Sequence, residues 1–193
     1  MNLSLNELSS LIKTASKGAG YSWGIAEEAA FAAKWLAQQG HDAASSAERL
    51  FSKNCVKPCA GCPLHLGARL IDTAHSFPDE GRVLKDVSQP ILLLPFVAQL
   101  ASLLDTNFAV QIDDVTVYVS QHGLELPDAL PDHSAICVVQ KTHQDVRQID
   151  LAARAMTDAT TVETLRQFAA KTHAPATEAS RLLGAGSGLS DND

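Results

Sequence analysis

The sequence predicts an α+β fold in which helices pack on a small, mostly antiparallel sheet with a central β-hairpin. Apolar residues recur at helical spacing through the first third of the chain. They then alternate with polar residues in two runs on either side of Asp113-Asp114, a pattern typical of a hairpin with a two-residue turn. No internal repeat with a period of about 20 to 50 residues is present, so the sequence does not indicate a repeat protein.

Three helices are predicted before the cysteine-rich segment. Ser4 and Glu7 have the spacing of a capping box, in which each side chain bonds the backbone of the other residue at the start of a helix. Ser22 and Asp42 can cap the second and third helices in the same position. We expect the first two helices to pack as a hairpin, because the connection between them is short.

A fourth helix is predicted to begin at Pro63, which suits the first helical position because its missing N–H is not needed there. Cys62 would then be the N-cap. The spacing of His65, Arg69 and Asp72 places these three residues in one polar strip. Such a strip suits either a solvated helix face or the wall of a pocket.

Elements with weaker patterns follow the fourth helix, some before the hairpin and some after it. The sequence predicts a buried strand at 91–94, a helix from Pro95, strands at 135–139 and 148–153, a helix with Thr160 and Glu163 as its capping box, and a short helix at 177–183. We expect residues 1–183 to form a single α+β domain and residues 184–193 to form a Gly/Asp-rich C-terminal tail.

Composition narrows the class of function. Hydrophobic residues make up 46% of the 193 residues and charged residues 19%, which is typical of a folded globular chain. The formal net charge of −7 argues against nucleic acid as a partner. The N-terminus lacks the pattern of a secretory signal, and no apolar run has the roughly 20 residues of a membrane span, so the sequence predicts a cytoplasmic protein without a membrane partner.

The most specific motif is the run of three thiols Cys55, Cys59 and Cys62, with the spacing C-x3-C-x2-C. Short spacings of this kind allow thiolates to converge on one metal ion. A zinc site would need a fourth ligand, for which His65, His75 and Cys137 are candidates. The spacing also occurs in enzymes with a four-iron cluster, but Gly61 before Cys62 and the lack of repeated strand-helix units disfavour an iron-sulfur cofactor here.

Two other interpretations of the motif stay open. The N-terminus of a helix favours a thiolate, so Cys62 is a candidate nucleophile, with His65 or His75 as a candidate for proton transfer. The plainest alternative is that the cysteines are small residues of a tight connection and bind nothing. The sequence does not decide whether the protein is an enzyme.

The C-terminal tail is a second candidate site. Arg181 precedes three glycines, and Asp191 and Asp193 follow them. Exposed backbone N–H groups and an arginine can bind a small anion, and carboxylates can bind a divalent cation. A solvated tail without a ligand is the alternative.

Both ends of the chain resemble one bacterial family of unknown function, DUF3726. The resemblance rests on Leu3-Ser4-Leu5-Asn6-Glu7, on the stretch from Gly18 to Ala29, and on the C-terminal stretches 175–181 and 184–193. It implies a stand-alone bacterial protein and brings no activity with it.

Two classes of function therefore follow from the sequence. In the first, the protein binds a metal or a small anionic ligand through the cysteine-rich loop and the tail. In the second, it is a non-catalytic accessory or scaffold protein whose leucine-rich helices and exposed hairpin strand form an oligomer or partner interface.

Overall fold

The computed structural model describes residues 1–53, 60–126 and 130–172. These residues form six α-helices, seven β-strands and two short 3₁₀ helices, at Ala74–Ser76 and Pro90–Leu93. The α-helices are α1 Leu5–Gly18, α2 Trp23–Gln38, α3 Ala43–Ser52, α4 Pro63–Asp72, α5 Leu94–Leu104 and α6 Ala159–Ala170. The strands are β1 Asn2–Ser4, β2 Arg82–Ser88, β3 Asn107–Ile112, β4 Val115–Ser120, β5 Gly123–Glu125, β6 His133–Thr142 and β7 Arg154–Met156.

The strands form two antiparallel sheets, which confirms the predicted α+β class. The larger sheet has the order β2-β6-β3-β4-β5, and β1 pairs with β7 in a separate two-stranded sheet. The predicted hairpin is β3-β4, in which Ile112 pairs with Val115 across the Asp113-Asp114 turn. Both hairpin strands have a neighbour on their other side, so neither is the exposed strand that the sequence suggested as an interface.

Side-chain caps explain where the first three helices begin. The Glu7 N–H donates to Ser4 Oγ at 3.2 Å, and the Ser4 N–H donates to Glu7 Oε2 at 2.7 Å, so the predicted capping box is present. Ser22 and Asp42 likewise accept a backbone N–H from the first turn of α2 and α3. α4 begins at Pro63 as predicted, with Cys62 as its N-cap.

Helices cover one face of the larger sheet. Phe108, Val110 and Ile112 of β3 are fully buried on that face, where α5 packs against β3 and β4. The opposite face is open: Val83 of β2 is 59% exposed and Ile136 of β6 is 49% exposed. The hydrophobic core therefore lies between the sheet and the helices.

The predicted strand at 91–94 is wrong. Residues Pro90–Leu93 form a 3₁₀ helix that leads directly into α5. A short run of buried leucines cannot by itself distinguish a strand from a helix, and Pro90 and Pro95 both fix a backbone angle that suits a helix start.

Two further predictions about later elements need correction, and one strand was not predicted. The predicted strand at 148–153 is irregular chain, and the strand β7 follows it. α6 begins after Asp158 rather than at a Thr160-Glu163 capping box, and the Asp158 side chain makes no capping hydrogen bond. The strand β2 was not predicted, because its charged residues interrupt the alternation of apolar and polar residues that indicates a strand. The predicted helix at 177–183 and the tail lie outside the described residues.

None of the helices within residues 1–53, 60–126 and 130–172 combines the length and the apolar character that a bilayer crossing requires.

Candidate functional site

Cys62 lies at the start of α4, deep in the protein. The exposed fraction of its side chain is 0%, and the sulfur makes no capping hydrogen bond to the first turn of α4. Cys62 therefore lies at the positive end of the α4 dipole, although Pro63 offers no N–H to its sulfur.

Gly61 fixes the backbone that leads into Cys62. The Ser88 N–H donates to the Gly61 carbonyl oxygen at 2.9 Å, so Gly61 pairs with the last residue of β2. A methyl group on Gly61 would overlap the carbonyl oxygen of Asp86 and lie 2.7 Å from its carbonyl carbon. Asp86 itself has a left-handed backbone, with φ of 55°. Only glycine allows this close approach, which holds Cys62 between α4 and the end of β2.

Tyr21, from the connection between α1 and α2, contacts the Cys62 sulfur. Its hydroxyl oxygen lies 3.7 Å from Cys62 Sγ, within hydrogen-bond distance for sulfur. Burial and then the neighbouring Cys62 raise the pKa of the Tyr21 phenol far above its ordinary range. The phenol therefore stays protonated and can donate to a thiolate at Cys62.

His65 lies one helical turn after Cys62 and faces the same tyrosine. The ring centroids of His65 and Tyr21 are 5.9 Å apart. His65 Nδ1 is buried and has no hydrogen-bond partner in the part of the chain that the structure describes. Burial lowers the pKa of His65, which favours the neutral imidazole near pH 7. Arg69 and Asp72 are exposed, so the predicted polar strip is divided between the interior and the surface.

The other predicted site residues do not join this cluster. His75 is exposed in the 3₁₀ helix after α4. Cys137 is fully buried in the middle of the larger sheet, opposite Leu84 and Ile112, and burial raises its pKa. The remaining predicted residues lie outside the described part of the chain: Cys55, Cys59, Arg181, Asp191 and Asp193.

Among the described residues, no group of three or more His, Cys, Asp or Glu side chains could hold a metal ion. Cys55 and Cys59 lie outside the described residues, so the search for a metal-binding group included Cys62 and His65 but not these two cysteines. Sequence reasoning missed Tyr21, because a lone tyrosine 41 residues before Cys62 carries no local signal that would link it to the cysteines.

The comparisons with known proteins bear on the N-terminal part of the chain. No curated protein and no solved structure matches the sequence. A family model does match, and it spans α1 to α4 and most of β2 together with the cysteine-rich segment. The C-terminal stretches of the predicted resemblance lie beyond this match. Over residues 3–86, which are less than half of the chain, the protein matches the family described as "Protein of unknown function (DUF3726)".

Proposed function

We propose that the protein binds a zinc ion through Cys55, Cys59 and Cys62, with His65 as the fourth ligand, and that it does so in the bacterial cytoplasm. The observation that carries the proposal is the buried Nδ1 of His65, which has no hydrogen-bond partner among the described residues. A buried polar atom without a partner costs about 1–3 kcal/mol, and bonding to a metal would remove that cost. Three thiolates and one imidazole make a common tetrahedral zinc site.

The environments of the three candidate fourth ligands favour His65. His75 is exposed, and Cys137 lies in the middle of the sheet, whereas His65 and Cys62 both contact Tyr21. The full burial of Cys62 also argues against the reactive-thiol interpretation, because a nucleophilic cysteine needs access to its substrate.

Tyr21 and α4 would stabilise the bound metal without binding it directly. The Tyr21 hydroxyl would donate to the Cys62 thiolate, as outer partners of metal ligands commonly do. The positive end of α4 would offset part of the negative charge of three thiolates. A zinc ion with four protein ligands has no open position, so we expect this site to stabilise the fold rather than to catalyse a reaction.

The test is the metal content of the protein purified without oxygen. We expect about one zinc per chain by elemental analysis, lost in Cys62→Ser. His65→Ala should weaken zinc binding by more than the ~10- to 100-fold typical of outer partners of a metal site. His75→Ala is the matched control, because it removes an exposed histidine that lies only ten residues away in sequence, and it should leave zinc binding unchanged.

Replacing zinc with cobalt tests whether thiolates bind the metal. Cobalt bound to three thiolates should give strong sulfur-to-metal charge-transfer absorption, which Cys62→Ser should reduce. The proposal would be overturned if the protein, unfolded and then refolded with zinc, contained no metal and all its cysteines reacted freely with a thiol reagent. That result would favour the accessory-protein alternative. Zinc retained at full affinity in His65→Ala would show that His65 is not the fourth ligand.

A further inference from the structure

The first half of β2 forms an open edge of the larger sheet. β2 is the outermost strand next to β6, and it has no strand on its other side among the described residues. Gly61 covers only the end of this edge, through the hydrogen bond from Ser88. Residues 82–85 therefore present unpaired backbone groups, which are the usual template for an added strand.

A groove runs between this edge and α4. Its volume is about 410 Å³, and the apolar residues that line it include Leu66 and Leu70 from α4 and Leu84 from β2. An extended segment that paired with β2 would therefore also contact a helix, as peptides do in grooves that combine a strand edge with a helix. Arg82 and Leu84 pair with buried positions of β6, so their side chains lie on the helix side, while Val83 and Lys85 lie on the open side.

The groove is positively charged, although the whole chain carries a net charge of −7. The side chains of Arg69 from α4 and Arg82 from β2 lie on its helix side, whereas that of Lys85 lies on the open side of the sheet. None of the three forms an ion pair with a carboxylate among the described residues. Arg82 instead packs over the ring of Phe77 and bonds the carbonyl oxygen of Ser76 at 3.5 Å. Opposite charges across paired strands are favourable, and like charges are not.

We propose that this groove binds an extended acidic segment of a partner protein, which adds as a sixth strand beside β2. Acidic side chains at alternate positions would face Arg69 and Arg82 on the helix side. Pairing of β2 with β2 of a second copy is disfavoured, because it would bring the cations of the two edges together. The proposal does not depend on the zinc site.

The test uses the full chain and a short fluorescent peptide that alternates glutamate with valine, with fluorescence anisotropy as the readout. A peptide that alternates lysine with valine controls for the charge. Arg69→Glu combined with Arg82→Glu should weaken binding of the glutamate peptide by about tenfold or more, because it removes two attractive pairs and adds repulsion. Arg166→Glu, an equal change at an exposed site on α6, should leave binding unchanged.

Amide hydrogen exchange tests whether binding adds a strand. The glutamate peptide should slow exchange within residues 82–85 in the wild-type protein. If the double variant fails to fold by circular dichroism, the single change Arg69→Glu serves in its place, because Arg69 is exposed. Equal binding of the glutamate and lysine peptides would overturn the proposal. So would slower amide exchange that is confined to residues outside 82–85. A dimer that dissociates on charge reversal would overturn it in favour of self-pairing.

Discussion

The close approach of Gly61 to β2 predicts that Gly61→Ala is strongly destabilising. The added methyl group would overlap the backbone carbonyl of Asp86, and backbone atoms cannot move aside by changing a rotamer. The two segments would have to separate, and the 2.9 Å hydrogen bond from the Ser88 N–H to the Gly61 carbonyl would lengthen or break. Cys62 follows directly, so its position would shift as well.

The magnitude follows from two contributions. Overpacking of a well-packed interior typically costs about 1–3 kcal/mol, and a lost backbone hydrogen bond adds about 1 kcal/mol. We therefore expect the free energy of unfolding to fall by about 3 kcal/mol. In a protein of this size that corresponds to a decrease in Tm of about 6–12 °C.

Urea unfolding followed by circular dichroism measures this change, and Gly24→Ala is the matched control. Gly24 lies in the first turn of α2, and a methyl group there meets no atom within 4 Å. Alanine is a better helix former than glycine, so Gly24→Ala should raise stability by up to about 1 kcal/mol. Equal stability of the two alanine variants would refute the steric argument for Gly61.

Two smaller predictions concern a helix cap and a half-buried histidine. Asp42→Ala should lower the free energy of unfolding by about 1 kcal/mol in urea titrations, because the Asp42 side chain accepts the Ser45 N–H at 3.2 Å. Asp158→Ala should cost less, since Asp158 makes no capping hydrogen bond, and equal losses would contradict this explanation. Burial lowers the pKa of His41, so the unfolded chain binds a proton at a higher pH than the folded protein, and stability falls as the pH drops below the ordinary histidine pKa. His41→Gln should flatten the loss of stability between roughly pH 7 and 5, and an unchanged slope in urea titrations would contradict the assignment to His41.

The parts of the fold that could be predicted are those whose signal is local. The Ser4-Glu7 capping box, the Ser22 and Asp42 caps and the hairpin around Asp113-Asp114 each depend on residues close in sequence, and each is confirmed. The strand predicted at 91–94 failed because its leucines are buried on all sides, which removes the periodicity that distinguishes strand from helix.

The candidate site was predictable only in part. The position of Cys62 before Pro63 and the spacing to His65 are visible in the sequence, and both prove to be features of α4. The contact with Tyr21 depends on how α1, α2 and α4 pack, and the role of Gly61 depends on the path of β2, an edge strand without a clear pattern. Contacts between residues distant in sequence produce no periodic pattern in the sequence, so only the structure reveals them.

The start of α4 breaks local rules that the first three helices obey. α1, α2 and α3 begin with Ser or Asp side chains that accept a backbone N–H, whereas α4 begins with Cys62, whose sulfur is fully buried and caps nothing. One turn later, His65 buries a nitrogen that has no partner among the described residues. Proteins usually depart from local preference where function compensates for the loss of stability. α5 and α6 also begin without a side-chain cap, so the absence of a cap at Cys62 is not by itself a sign of function. The unpartnered nitrogen of His65, one turn from Cys62 and beside the C-x3-C-x2-C motif, is the feature that the proposed zinc ion would explain.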